Sequence, residues 1–220
     1  MPLTLFYHPL SSFCHKVLIA LYEHGAAFEP RLINLGDAAD REALRSVWPM
    51  VKFPVLRDQA RGCDVAESSI IIEYLDHHYA GAHKLIPDQR DAALDVRLWD
   101  RVFDNYVQGP VQAIVADRIF NTQADLSRQR AALVTAYRMI DERLATRTWS
   151  GGDAFSMADC AGAPALFYAA TLVPFPEDCV HLAAYYERLM ARPSVVRVIT
   201  EARPSFGMYP FADAIPARFR

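Results

Sequence analysis

The stretch Val51-Lys52-Phe53-Pro54-Val55-Leu56, followed about a dozen residues later by Glu67-Ser68-Ser69, is the most informative part of this chain. Proline has no N–H to give to a sheet ladder, so Pro54 belongs at the first residue of a strand or on an edge. The backbone of Phe53 before it stays free to pair with an extended ligand, and Phe53-Pro54 is a candidate cis bond that turns that backbone outward. Glu67-Ser68-Ser69 precedes the apolar run Ile70-Ile71-Ile72-Glu73-Tyr74-Leu75 and marks a helix start. Free amides and a hydroxyl at a helix N-terminus bind a carboxylate, while an acidic side chain beside them binds an ammonium group. Together they suit the head of an amino acid.

Upstream, Leu3-Thr4-Leu5-Phe6-Tyr7-His8 reads as a short strand and Pro9-Leu10-Ser11-Ser12 as the loop entering a helix over 13–24, stopped by Gly25. Phe13, Val17, Ala20 and Leu21 recur at the spacing of a helix packed on a sheet by one side. Ser11 and Ser12 therefore sit at the helix entrance. A hydroxyl there either caps the helix or donates to an anion held by the free amides and the positive end of the dipole.

Residues 1–80 alternate strands (3–7, 28–35, 55–57, 64–66) with helices (13–24, 41–46, 68–79), in the order β-α-β then β-β-α. Residues 81–89 break the periodicity and read as a linker. Everything from 90 to 220 is helical in pattern. A long segment over 91–120 puts Leu94, Leu98, Val102 and Phe103 on one face and should kink at Gly109-Pro110; its antiparallel partner runs over 126–147. Ser156-Met157-Ala158-Asp159 is a capping box with Phe155 as its staple, opening a helix through 168, and last helices follow over 182–191 and 194–202. The fold class is an α/β N-terminal domain followed by an all-α C-terminal domain.

Composition excludes several partners. With 220 residues, 52% of them hydrophobic, the chain fills the cores of two small domains. A net charge of −3 without a basic block leaves no electrostatic footprint for nucleic acid or an anionic membrane. No apolar run approaches the roughly 20 residues that span a bilayer, and the start lacks a secretion signal, so a cytoplasmic location is expected. Cys14, Cys63, Cys160 and Cys179 follow no metal-ligand or paired spacing and read as thiols, with no metal expected. His15, His77 and His78 have no partner pattern and are expected at the surface.

Four pieces in order, Ser11-Ser12-Phe13-Cys14-His15-Lys16-Val17, Lys52-Phe53-Pro54-Val55-Leu56, Glu67-Ser68-Ser69 and Phe155-Ser156-Met157-Ala158-Asp159, resemble the cytosolic glutathione transferase family. The resemblance implies a thioredoxin-like N-terminal domain and a helical C-terminal one. It implies that Ser11 occupies the position of the catalytic serine or cysteine, that Phe53 offers its backbone to the cysteinyl part of glutathione, that Glu67 and Ser68 hold the γ-glutamyl end, and that Lys52 lies near a ligand carboxylate. Phe13 and Pro54 complete the expected glutathione contacts. The family usually has Asn-Pro, often with a Gly, before this Lys, whereas this chain has Trp48-Pro49-Met50-Val51. Similarity to zeta- and tau-like members is partial, since Phe13 stands where the zeta motif has Cys.

The chemistry follows. A thiol with a pKa near 8.5 is only a few percent thiolate at neutral pH. A serine hydroxyl donating to the sulfur stabilises the anion by roughly 1.5–3 kcal/mol, enough to lower that pKa by about one to two. Either Ser11 or Ser12 is placed to do this. A small hydrophobic electrophile is expected between the domains, against Leu10, Ser12, Phe103, Tyr106 and Val107, with Phe13 beside them and the aromatic tail 204–211 either covering the site or packing on the helices. Glutathione enters as co-substrate. A glutathione-dependent isomerase of the maleylacetoacetate type, a peroxidase, and a non-catalytic member of the fold are the alternatives. The apolar faces of Ile70-Ile71-Ile72 and of Leu94, Leu98 and Val102 suggest a homodimer.

Overall fold

The computed structural model describes residues 2–220. Along the first part of the chain run β1 (Leu3–Tyr7), α1 (Ser12–His24), β2 (Phe28–Leu32), α2 (Ala38–Val47), β3 (Val55–Asp58), β4 (Cys63–Ala66) and α3 (Ser68–His78). The strands form one sheet in the order β2-β1-β3-β4, with β1 parallel to β2 and antiparallel to β3. Side chains alternate across a strand, and here the alternation builds two cores. Leu3, Leu5 and Leu56 pack with Val17 and Leu21 of α1 and Ile71, Ile72 and Leu75 of α3. Phe6, Ile33 and Val55 instead meet Leu44 and Val47 of α2 on the other face.

One expectation about α1 fails. Its stripe predicts burial on one side, yet every residue from Cys14 to Leu21 is buried, because the helical half covers the side turned away from the sheet. His15, expected at the surface, is 2% exposed and stacks on Tyr168. Phe13 is the one stripe residue left half-buried.

The second half comprises α4 (Arg90–Val102), a π-helical turn (Phe103–Gln108), α5 (Gly109–Phe120), α6 (Ser127–Leu144), α7 (Met157–Leu172), α8 (Val180–Met190) and α9 (Pro193–Ala202). Gly109-Pro110 does not break the long segment. The Gly109 N–H reaches the Asp104 carbonyl five residues back, and the widened turn accommodates a proline that brings no N–H of its own. The expected apolar face of α4 splits: Val102 and Phe103 are buried, whereas Leu94 and Leu98 are 63% and 58% exposed. Ala93, Val96 and Trp99 are the residues that α4 turns inward.

The capping box at Ser156 and Asp159 forms, and α7 behind it continues past Pro164 to Leu172 with nearly all of its residues buried. It is the axis of the helical half. The tail packs on this helix, with Phe206 against Phe167 and Tyr209 against Tyr168. No helix among the described residues is long and apolar enough to cross a membrane.

Candidate active site

Two helix starts and one strand entrance open on the same space. Before α1, Ser11 has extended backbone (φ −80°, ψ 118°), which lets its Oγ accept the Cys14 N–H at 3.3 Å. This is an N-cap. It engages an oxygen lone pair and leaves the hydroxyl its one proton to donate, for which the buried Cys14 sulfur beside it is also an acceptor. Capping and donation to an anion are therefore compatible at Ser11. The turn beneath it is tied by Ser11 N–H to the His8 carbonyl (3.1 Å) and by His15 Nε2 against the Pro9 carbonyl (2.6 Å). Burial pulls the His15 pKa down to about 4, so the ring is neutral and Nε2 donates.

The α3 start is built differently. Glu67 precedes it at φ 68° and makes no cap bond with its side chain, so the first-turn amides lack a side-chain partner. Val51, across the cleft, also sits at positive φ (53°). Non-glycine residues in this region cost of order 1–3 kcal/mol, and they persist where the surrounding structure imposes them. Between the two, the Phe53-Pro54 bond is cis, β3 begins immediately after it, and the Phe53 ring stacks on His8 with centroids 5.7 Å apart.

Ser11, Phe13, Lys52, Phe53, Pro54, Glu67 and Ser68 all border one cleft of about 560 Å³. Grooves of about 570 and 440 Å³ lie elsewhere, so size does not single this one out. The two helix starts do. Ser12 is 7% exposed and borders a small interior gap beside Ala161 and Pro164, away from the cleft. Of the two serines at the α1 entrance, only Ser11 borders the cleft.

Leu10, Ser12, Phe103, Tyr106 and Val107, expected against the second substrate, do not border this cleft. Phe103 and Val107 are completely buried in the helical core, Leu10 packs against that same core, Ser12 faces α7, and Tyr106 projects outward at 60% exposure. Arg101, Asp104, Asn105, Gly109 and Gln112, which recur at the spacing of one helical face, border the cleft instead. Sequence reading missed these five, together with Leu35, Trp48 and Val51. The helical ones share a polar stripe, which in a sequence is indistinguishable from a solvated face.

Directly behind the cleft lies a charged cluster. Lys16, 1% exposed, places Nζ 2.5 Å from Asp100, 2.8 Å from Asp104 and 2.9 Å from Ser69 Oγ. Arg101 bonds Asp100 (2.6 Å) and Asp104 (2.5 Å) from the cleft side and touches Ser69 Oγ. Two cations and two carboxylates balance. Burial raises the Asp104 pKa, with Lys16 opposing. The cluster fastens α1 and the start of α3 to α4, immediately next to Glu67 and Ser68. Cys14 is fully buried, and its pKa is pushed up to about 12 by burial, against the hydrogen bonds at Ser11 and His8. A packed thiol of that kind is no nucleophile.

The chain matches two family models: "Glutathione S-transferase, N-terminal domain" over residues 5–83 and "Glutathione S-transferase, C-terminal domain" over residues 102–193. Glutathione S-transferase U22 of Arabidopsis thaliana is 27% identical over 199 residues, covering 87% of each chain. A glutathione S-transferase from Methylobacillus flagellatus, solved with glutathione bound, is 26% identical with a TM-score of 0.77, covering 89% of this chain and 98% of its own. One from Methylobacterium radiotolerans, in complex with glutathione sulfonate, is 27% identical with a TM-score of 0.76, covering 97% and 94%. With both family models matched in order and the sheet, the helical half and the shared cleft in place, this chain belongs to the glutathione S-transferase family of enzymes.

Proposed function

We propose that the protein joins the thiol of glutathione to small electrophiles, with Ser11 donating its hydroxyl proton to the bound sulfur. The observation that carries this reading is that the Ser11 hydroxyl, the amide-rich start of α3 and the backbone of Phe53 border one cleft. Glutathione lies with its γ-glutamyl carboxylate at the amides of α3 and its ammonium by Glu67, its middle residue paired to Phe53, and its glycyl carboxylate toward Lys52, an exposed cation. Its sulfur then falls at Ser11, where the hydroxyl and the positive end of α1 favour the thiolate. The thiolate sulfur forms the S–C bond as a leaving group departs from that carbon with its electron pair, or as the π pair of an activated alkene shifts onto its electron-withdrawing group, and the proton lost from the thiol goes to solvent. Placing the electrophile beside the sulfur supplies the rest of the acceleration.

In this reading, residues 1–80 hold glutathione, 81–89 link, and 90–220 supply the facing wall. The chain works in the cytoplasm as a homodimer, paired through Ile70, Leu94 and Leu98, which are 54%, 63% and 58% exposed on α3 and α4. Calorimetry tests the binding mode. Wild type should bind glutathione, and Glu67→Ala should weaken it several-fold, because an ion pair in a cleft is lost. Unchanged affinity in Glu67→Ala removes the γ-glutamyl assignment.

A further inference from the structure

The helical wall of the cleft presents no apolar side chain. Phe103 and Val107, the apolar residues of the π-helical turn, are turned wholly into the core, and the side chains facing Ser11 and Phe53 from this wall are charged or carboxamide. Arg101 and Asp104 are already engaged in the cluster with Lys16 and Asp100, whose charges cancel. Asn105 and Gln112 stand outside that cluster, one on each side of Gly109, and both are exposed. Gly109 is helical (φ −57°) just before Pro110, where the proline ring crowds a Cβ on the preceding residue, so a side chain is disfavoured there on local grounds. The result is a notch flanked by two carboxamides, each able to donate and to accept.

We propose that the second substrate carries an uncharged hydrogen-bonding arm, such as a carboxamide, ketone or hydroxyl, that seats between Asn105 and Gln112 while its electrophilic carbon lies at the thiolate. This rests on the reading that the cleft holds glutathione with its sulfur at Ser11. An anionic arm finds no unpaired cation on this wall, because the Arg101 guanidinium is already bonded to Asp100 and Asp104. A purely apolar arm would strip water from two carboxamides and return no bond, which costs free energy. Apolar contact comes from the opposite wall, at Phe13, Leu35 and Trp48. The electrophile is thus apolar along one side and polar at its far end.

Matched β-nitrostyrenes test this, one with a para CH2C(O)NH2 arm and one with the isosteric CH2CH(CH3)2 arm; the methylene insulates the reacting alkene from the difference. The thiolate sulfur bonds to the alkene carbon β to the nitro group, the π pair moves onto the nitro group, and water returns a proton to the α carbon. No leaving group or redox partner is needed. With rates normalised to the uncatalysed reaction, wild type should favour the carboxamide arm about ten-fold in kcat/KM, as a site that hydrogen-bonds its substrate discriminates against an analogue lacking the group. Asn105→Leu and Gln112→Leu, both at exposed positions, should each erode that preference several-fold while the melting temperature and the glutathione affinity hold. Equal use of the two arms by a wild type that binds glutathione, or a preference that survives both substitutions, overturns this proposal alone. Failure of the wild type to bind glutathione in calorimetry overturns the underlying reading and this proposal with it.

Discussion

At the scale of single residues, Ser11 and Lys16 carry the sharpest consequences. Ser11 accepts the Cys14 N–H and, in the proposed function, donates its own proton to the bound sulfur, so Ser11→Ala should do two separable things. It should lower stability by about 1 kcal/mol through the lost cap. It should also raise the pKa of bound glutathione toward its free value and cut turnover ten-fold or more, at about 1.4 kcal/mol per decade, with glutathione affinity nearly intact. Thiolate absorbance of the complex across pH reads this directly, and an unchanged pKa would leave Ser11 as a cap alone. Lys16 is a different case, since its ammonium balances two buried carboxylates. Lys16→Met should cost about 3–5 kcal/mol in urea unfolding, because the carboxylates are left short of one cation. Adding Asp104→Asn should recover most of that loss. Recovery would identify charge balance, rather than packing of the lysine stem, as the cause.

Among the elements, the entrance of α1 and the π-helical turn shape the site. The α1 entrance is held by a neutral His15 whose pKa, about 4 against an ordinary 6.5, is depressed by burial. The unfolded chain therefore takes up a proton first as pH falls. Stability from this group is full above about pH 6.5 and declines toward pH 4, by roughly 3 kcal/mol in all, because each pH step between the two pKa values removes about 1.4 kcal/mol. Urea midpoints measured between those pH values should fall more steeply for wild type than for His15→Gln, in which this proton uptake is gone; parallel curves would refute the assignment. Along the π-helical turn and its flanks, ordinary helical spacing separates Phe103 and Val107, which fill the core, from Asn105, Gly109 and Gln112, which border the cleft. Which of the two faces meets the cleft is set by how the helical half packs.

For the whole molecule, the two halves are joined by more than the linker. Glu23 at the end of α1 bonds Arg192 ahead of α9 at 2.6 and 2.7 Å, and the linker itself is tied down where Asp76 accepts the Leu85 and Ile86 N–H groups, burying a segment that reads as loose in sequence. On the outer faces of α3 and α4, Ile70, Leu94 and Leu98 remain exposed beside the Arg97–Glu73 ion pair. Ile70→Asp with Leu98→Asp should convert a dimer to a 24.8 kDa species in sedimentation while leaving helicity unchanged, since neither side chain belongs to the core. A wild type that is already monomeric at micromolar concentration would remove the dimer. Legible in the chain alone were its local and periodic features: the proline before β3, the caps at Ser11 and Ser156, the strand at β1, and the change from strands to helices after Ala66. These follow from each residue's backbone chemistry and from the spacing of apolar side chains, which need no partner to be read. Folding in three dimensions was required to bury α1 on every side, to enclose His15 as a neutral ring, to pair Lys16, and to choose which residues of the long helix face the cleft. Those outcomes depend on which partner covers each face, and that is not a property of the residues taken one segment at a time.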